Sequence, residues 1–223
     1  MTQADHKTAL MLAGAILDPV IAVSATDPHG DHLAYDEELA AIPGAVPKRV
    51  REFSAGRIAA RQAMAELGAP PLAVPMGSDR APIWPAPLIG TITHCDTACL
   101  AAVAWTGEVR MLALDIEEDT PLADDLLDTV CTPAERRRLD TQPDPGQTAK
   151  VIFSAKECAY KAQYPLSQTL FDFQTLEVEL SDDHKRFVAR FTRSVPPFAQ
   201  GDQIPGKIAR GDGLIVTSVA VRA

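Results

Sequence analysis

Two carboxylates stand two residues apart in Leu114-Asp115-Ile116-Glu117, at the end of an apolar stretch that reads as a strand. Side chains alternate along a strand, so Asp115 and Glu117 point to the same side. Carboxylates held side by side repel unless a cation lies between them. Magnesium suits such a pair, because it takes oxygen ligands, keeps some waters and commonly binds substrate phosphates as well. Taken alone, the pair also fits an ordinary solvated strand end.

Three further groups carry chemistry. Glu157 and Lys161, in Phe153-Ser-Ala-Lys-Glu-Cys-Ala-Tyr-Lys161, are four apart on a predicted helix and share a face. They could form a simple helix ion pair, Ser154 and Glu157 could form a capping box, or Glu157 could be a third metal carboxylate with Lys161 beside a phosphate. Arg57 lies within the apolar sector of another predicted helix, marked by Phe53, Ala60, Met64 and Leu67, and Arg61 lies at its margin. Arginines there must either snorkel or meet an anion, and their planar fork favours phosphate. Finally, a Pro/Trp loop, Arg80-Ala-Pro-Ile-Trp-Pro85, leads into Gly90-Thr-Ile-Thr93-His94. A basic group beside threonine hydroxyls at a strand end suits a phosphate or a hydrogen-bonded structural histidine.

The elements that must position these groups are punctuated by Pro and Gly. A helix is predicted over Val46–Leu67, ended by Gly68 and Pro70-Pro71, and residues 75–91 read as an ordered loop. Strands are expected at Leu100–Trp105 and Met111–Ile116, with Thr106-Gly107 as the turn between them. Thr132-Pro-Ala-Glu135 offers an N-cap, an N1 proline and a capping-box glutamate. A helix over about Gln147–Gln163 is expected to stop before Pro165. Strands follow at Leu176–Leu180, Phe187–Phe191 and Leu214–Val221. Helix-then-strands therefore occurs once in each half. This implies an α+β fold of two similar halves, 1–110 and 111–223, with a site at their interface.

Composition narrows the function classes. A net charge of −9 argues against general nucleic-acid binding, and no apolar run is long enough for a membrane span. Met1–Leu17 lacks a basic n-region and reads as folded chain rather than a signal peptide. Cys95, Cys99, Cys131 and Cys158 form no Cys-x-x-Cys pair, so reduced thiols in a cytoplasmic protein are expected. Charge is segregated: Lys48, Arg49, Arg51, Arg57 and Arg61 face only Glu52, whereas seven acids and no Lys or Arg lie between Asp115 and Asp128.

In this order the segments resemble the phosphopantetheinyl transferase superfamily, closest to its surfactin/enterobactin-synthetase type. Phe153–Lys161 is similar to the Phe/Trp-Ser-x-Lys-Glu-Ala-x-x-Lys signature, and Asp115-Ile-Glu117 to the Gly-Ile-Asp-x-Glu strand. Gly56-Arg57-Ile-Ala-Ala-Arg61 resembles the Gly-Arg-x-x-Ala-Arg helix, and Thr91-Ile-Thr-His94 resembles the Ser-x-x-His segment. Ala113, Cys158 and Thr91 depart from the pattern, each keeping a small side chain.

The resemblance implies transfer of the phosphopantetheine arm of coenzyme A to a carrier-protein serine, with release of 3′,5′-adenosine bisphosphate. It implies Mg²⁺ (with Mn²⁺ as an alternative) on Asp115, Glu117 and Glu157, and Glu157, Lys161 and Lys156 as catalytic residues. Coenzyme contacts would come from Arg49 (or Lys48 in its place), Arg57, Arg61, Arg80, Thr93, His94, Lys156 and Lys161. Glu135 aligns with an acid sometimes proposed as a base. Arg136, Arg137 and Arg138 could dock an acidic acyl or peptidyl carrier, and a complete site in one chain implies a monomer. The alternatives are another Mg²⁺-dependent pyrophosphate-cleaving enzyme, or a catalytically degenerate binder of coenzyme A or a carrier protein.

Overall fold

The computed structural model describes residues 5–223, so the first four residues of the N-terminal half lie outside the described residues. Helix α1 (His6–Ile16) is capped by Asp5, whose side chain accepts from the Thr8 amide, and strand β1 (Ala22–Thr26) follows. A short α2 (Asp36–Leu39) precedes α3 (Pro47–Glu66), which starts with proline where a missing N–H costs nothing. Strands β2 (Leu88–His94) and β3 (Cys99–Trp105) complete an antiparallel sheet in the order β1-β3-β2.

The second sheet begins with β4 (Val109–Glu118). Helices α4 (Leu127–Val130), α5 (Pro133–Leu139) and α6 (Pro145–Ser167) follow, then β5 (Leu176–Leu180), β6 (Arg186–Phe191), β7 (Gln203–Gly211) and β8 (Leu214–Arg222). The sheet is antiparallel in the order β4-β8-β7-β6-β5. The expected Thr106-Gly107 turn exists, but it does not make a hairpin. Strand β3 pairs in the first sheet and β4 pairs with β8 in the second, so the chain changes sheets there.

Alternation along the strands divides the core. Ala101 and Val103 of β3 pack with Ala59, Ala60, Ala63 and Met64 of α3. Leu100, Ala102 and Ala104 turn the other way, where Ala9, Ala13 and Ile16 of α1 join them with Leu112, Leu114 and Ile116 of β4. One apolar layer thus welds the two halves. On the opposite face of the second sheet, Met111, Ala113, Ile215 and Val219 meet Val151, Ala155, Cys158 and Ala162 of α6. Asp115 and Glu117, two and four residues beyond Ala113, therefore face α6.

Helix α6 runs through Pro165 instead of stopping before it. The proline falls in the last turn, where only one intrahelical bond is forgone, and Leu166 just beyond it packs on the core. Gln168, in the left-handed conformation, caps the end, its amide reaching the Tyr164 carbonyl.

Candidate active site

The two sheets approach one another where β2 runs beside β4. Leu114 N–H donates to Thr91 Oγ1 at 3.3 Å, and Thr93 Oγ1 donates to Asp115 Oδ1 at 3.2 Å. Helices α3 and α6 flank this line. Gly56 lets α3 come close, since a Cβ there would lie 2.8 Å from the Ile92 side chain. The resulting cavity of about 350 Å³ is lined by Arg49, Glu52, Arg57, Arg80 and His94 from the N-terminal half and by Asp115, Glu117, Glu157 and Lys161 from the C-terminal half.

On the acidic wall, Asp115 is buried and three groups donate to it. Lys161 Nζ reaches Oδ1 at 2.5 Å, Thr93 reaches the same oxygen, and Ser154 Oγ reaches Oδ2 at 2.8 Å. Ser154 is buried in mid-helix and also meets Thr217 at 2.9 Å, so it is not a capping residue. Glu117 pairs with Lys150 at 2.9 Å. Lys161 thus binds Asp115 across the gap rather than Glu157 on its own helix. Lys150, Ser154, Glu157 and Lys161 form one polar stripe along α6, and this i, i+4, i+7, i+11 spacing is the signal that would have brought Lys150 and Ser154 into the site.

The electrostatics follow from burial and like charge. Burial pushes the Glu157 carboxyl above its ordinary range; Lys161 partly offsets this and Asp115 adds to it. Glu117 is likewise raised by burial and then by Asp115, against the pull of Lys150. Burial alone would lower Lys161, but Asp115 and Glu157 outweigh it and hold it above its usual value. Glu157 has no ion-pair or hydrogen-bond partner among the described residues.

A hard cation with oxygen ligands fits this donor set: three carboxylates line one cavity and two of them resist ionisation. Among the described residues no three acidic, His or Cys side chains converge as a finished metal cluster; Asp115 and Glu117 are engaged by Lys161 and Lys150.

The opposite wall is basic. Arg57 is 6% exposed, its guanidinium stacks 4.1 Å from the Phe53 ring centroid, and its Nε has no hydrogen-bond partner among the described residues. Burial lowers its pKa to about 10, so it stays charged at neutral pH. A buried cation with an orphaned donor suits an anionic ligand. Arg49, Arg80, Thr93 and His94 line the same cavity. His94 keeps an exposed edge, yet desolvation holds its pKa below the usual histidine value; Glu52 opposes the shift, and Arg49 and Lys161 reinforce it. Lys48 stays outside, paired with Glu52 and Asp96.

Several expected site residues lie elsewhere. Arg61 Nη1 donates to both carboxylate oxygens of buried Glu38 at 2.6 and 2.7 Å, and Arg61 stacks on Tyr35. It braces the N-terminal half and does not reach the cavity. Lys156 is 1% exposed and donates to Glu135 at 2.7 Å, to the Val130 carbonyl at 2.8 Å and to the Phe173 carbonyl at 2.9 Å. With all three donors used, it pins α4 and α5 to α6 and is not brought to the coenzyme cavity. Glu135 completes the Thr132 capping box and also accepts from the Val178 amide, which leaves its carboxylate no freedom to act as a base. Within the arginine run, Arg136 pairs with Asp128 and Arg138 with Glu177. The four cysteines are free thiols, and burial raises all four.

Comparison with known proteins bears on both halves. Residues 37–104 match the 4′-phosphopantetheinyl transferase N-terminal domain family, and residues 111–209 match the 4′-phosphopantetheinyl transferase superfamily. The chain is 37% identical to 4′-phosphopantetheinyl transferase Svp of Streptomyces mobaraensis, over 96% of this chain and 89% of the relative. It is 32% identical to 4′-phosphopantetheinyl transferase PptT of Mycobacterium tuberculosis, over 83% of this chain and 85% of that one. Enterobactin synthase component D of Escherichia coli is 42% identical over 119 residues, 52% of this chain and 55% of the relative. With both halves matched in order and similarity extending over nearly its whole length, the chain belongs to the 4′-phosphopantetheinyl transferase superfamily.

Proposed function

We propose that this cavity binds the phosphates of coenzyme A between its basic and acidic walls and directs the phosphopantetheine arm onto a carrier-protein serine. The observation that carries the reading is the meeting of unpartnered Arg57 from α3 with unpartnered Glu157 from α6 in one cleft. Arg57, with Arg49, Arg80 and His94, binds the 3′-phosphate end. Lys161 and Thr93 bind the pyrophosphate. The N-terminal half thus supplies most of the coenzyme contacts, and the C-terminal half supplies Lys161, the acidic wall and the carrier-docking surface.

The serine oxygen forms a bond to the pantetheine-side phosphorus while the bond from that phosphorus to the bridging oxygen breaks. Adenosine 3′,5′-bisphosphate leaves with the electron pair. The protein's task is alignment and charge stabilisation. Glu157, which has no hydrogen-bond or ion-pair partner among the described residues, takes the serine proton on the carboxylate oxygen that a bound cation would leave free. Lys161 lies beside the oxygens on which negative charge accumulates. Asp115, Glu117 and Glu157 would hold Mg²⁺ (or Mn²⁺), which when bound supplies further charge neutralisation on the pyrophosphate. Because one chain supplies both walls, a monomer is sufficient, and a cytoplasmic location would supply both coenzyme A and apo carrier.

Arg137, the member of the arginine run with no ion pair among the described residues, is the group on α5 best placed to meet an acidic carrier. The test is chromatography of the nucleotide product from coenzyme A and Mg²⁺, with and without an apo carrier. Adenosine 3′,5′-bisphosphate should form only with the carrier and should disappear when the carrier's serine is replaced by alanine. Equal release without carrier would indicate a pyrophosphate hydrolase instead.

A further inference from the structure

Arg80 is one of four non-glycine residues with positive φ among the described residues, at φ 69°. That conformation is disfavoured for an arginine and persists only where its surroundings impose it. Here the surroundings are specific. The Arg80 amide donates to the Gly77 carbonyl at 2.9 Å, and the Gly77 amide donates to the Ala81 carbonyl at 2.8 Å. Asp79 Oδ1 accepts from the Ala81 amide at 3.0 Å, bridging over Arg80. A Cβ on Gly77 would lie 2.6 Å from that same Asp79 oxygen, so the turn closes on the carboxylate only with glycine.

The other Asp79 oxygen is held from outside the loop. Tyr164 Oη donates to Asp79 Oδ2 at 2.7 Å across 85 residues of sequence. Tyr164 stands three residues beyond Lys161 on α6, with its ring stacked on Tyr160 at 6.1 Å between centroids. Asp79, Arg80 and Tyr164 all border a second, more apolar cavity of about 690 Å³, which adjoins the charged one through Arg80 and Lys161. The helix that carries Glu157 and Lys161 therefore also grips the loop that carries Arg80.

We propose that Tyr164 is a positioning residue for coenzyme binding: its hydroxyl fixes Asp79, and Asp79 holds the loop in the one conformation that aims Arg80 into the phosphate cavity. This rests on the reading of Arg80 as a coenzyme contact. The bond is solvent-exposed, so it contributes little to global stability. Its effect lies in the orientation of one cation, and it ties that orientation to the helix bearing the reacting groups.

The experiment is calorimetric binding of coenzyme A, with steady-state kinetics, for the full chain and for Y164F, R80A, the double variant and R57A. Phenylalanine removes the hydroxyl and keeps the stacked ring. The expected result for Y164F is a Kd and KM for coenzyme A raised about three- to tenfold, with kcat within about twofold and Tm unchanged. On the R80A background, Y164F should add almost nothing, because its effect passes through Arg80. Unchanged binding in Y164F beside weakened binding in R80A would overturn the clasp alone. Full multiplication of the two effects would show that Tyr164 acts by another route, also overturning it. Unchanged binding in R80A would remove Arg80's coenzyme role and the clasp together, whereas unchanged binding in R57A would sink the coenzyme reading of the whole cavity.

Discussion

Lys161 donates to Asp115 Oδ1 at 2.5 Å across the gap between α6 and β4, passing over Glu157 one turn away on its own helix. The lysine charge is thereby placed over the acidic wall, where phosphate oxygens would join it. Replacing Lys161 by alanine should lower kcat by about 10²- to 10³-fold, the scale for loss of one preorganised donor at developing charge. Steady-state transfer assays on protein with normal circular dichroism would check this. A loss confined to KM would mean that Lys161 binds coenzyme without aiding the chemical step.

Arg57 and Arg61 lie one helical turn apart and should fail in opposite ways. Arg57→Ala should weaken coenzyme A binding about 10- to 100-fold, the equivalent of one or two charge-assisted hydrogen bonds, with little change in stability. Arg61→Ala strands Glu38 in the core and should cost about 3–5 kcal/mol of unfolding free energy. Calorimetric titration and urea unfolding of both variants would distinguish the roles.

Much of this division was not legible in the sequence. The Gly-Arg-x-x-Ala-Arg pattern gives two arginines on neighbouring parts of one face, and nothing local distinguishes them. Arg61's partner, Glu38, comes from another helix 23 residues earlier, and Lys156's acceptors come from 17 to 26 residues away. Partners at that range are set by packing. Local chemistry was readable: the end of α3 before Gly68, the Thr132 capping box, and the alternation that puts Asp115 and Glu117 on one face. Strand β7 was missed because Pro205 and Gly206 weaken its pattern. Gly206 nonetheless suits a central strand, since the Phe187 ring occupies the space a Cβ would need. Helix α1 and strand β1 carried no motif that would announce them.

Lys156 offers a second separation of structure from catalysis. Lys156→Ala leaves buried Glu135 without its cation and should destabilise by about 3–5 kcal/mol. The double variant Lys156→Met, Glu135→Leu should recover part of the loss. Unfolding curves would show the recovery; a stable Lys156→Ala protein with abolished transfer would instead restore Lys156 to the chemistry.

As a coenzyme contact, His94 would set the pH dependence of coenzyme binding. Its pKa is depressed in the free protein, so the ring is neutral at pH 7, and a phosphate beside it would raise that pKa. Binding then takes up a proton. Affinity is greatest below the free-protein pKa and falls as pH rises through the pKa of the complex. Titrations from pH 6 to 8 should show weakening affinity in the wild type and a flatter profile in His94→Ala, the difference cancelling the titration of coenzyme A itself.

Glu117 and Glu157 make a parallel case for the cation. Their raised carboxyl pKa values mean that the stability they contribute is fully present below the unfolded value of about 4.5 and is lost as pH rises through the folded values. Mg²⁺ should offset this loss. It should raise Tm at pH 7.5 by about 2–4 °C per kcal/mol of binding and much less at pH 5. Differential scanning fluorimetry with and without EDTA would check this, with Glu157→Gln blunting the shift.

The most direct test of the central claim is intact-mass spectrometry of an apo carrier protein incubated with coenzyme A, Mg²⁺ and either wild type or Glu157→Gln. The account predicts that wild type adds one phosphopantetheine to the carrier serine, and that Glu157→Gln, folded and still binding coenzyme A, adds none on the same timescale. Full modification by Glu157→Gln would contradict the role given to that residue, and an unmodified carrier with wild type that binds coenzyme A would contradict the account as a whole.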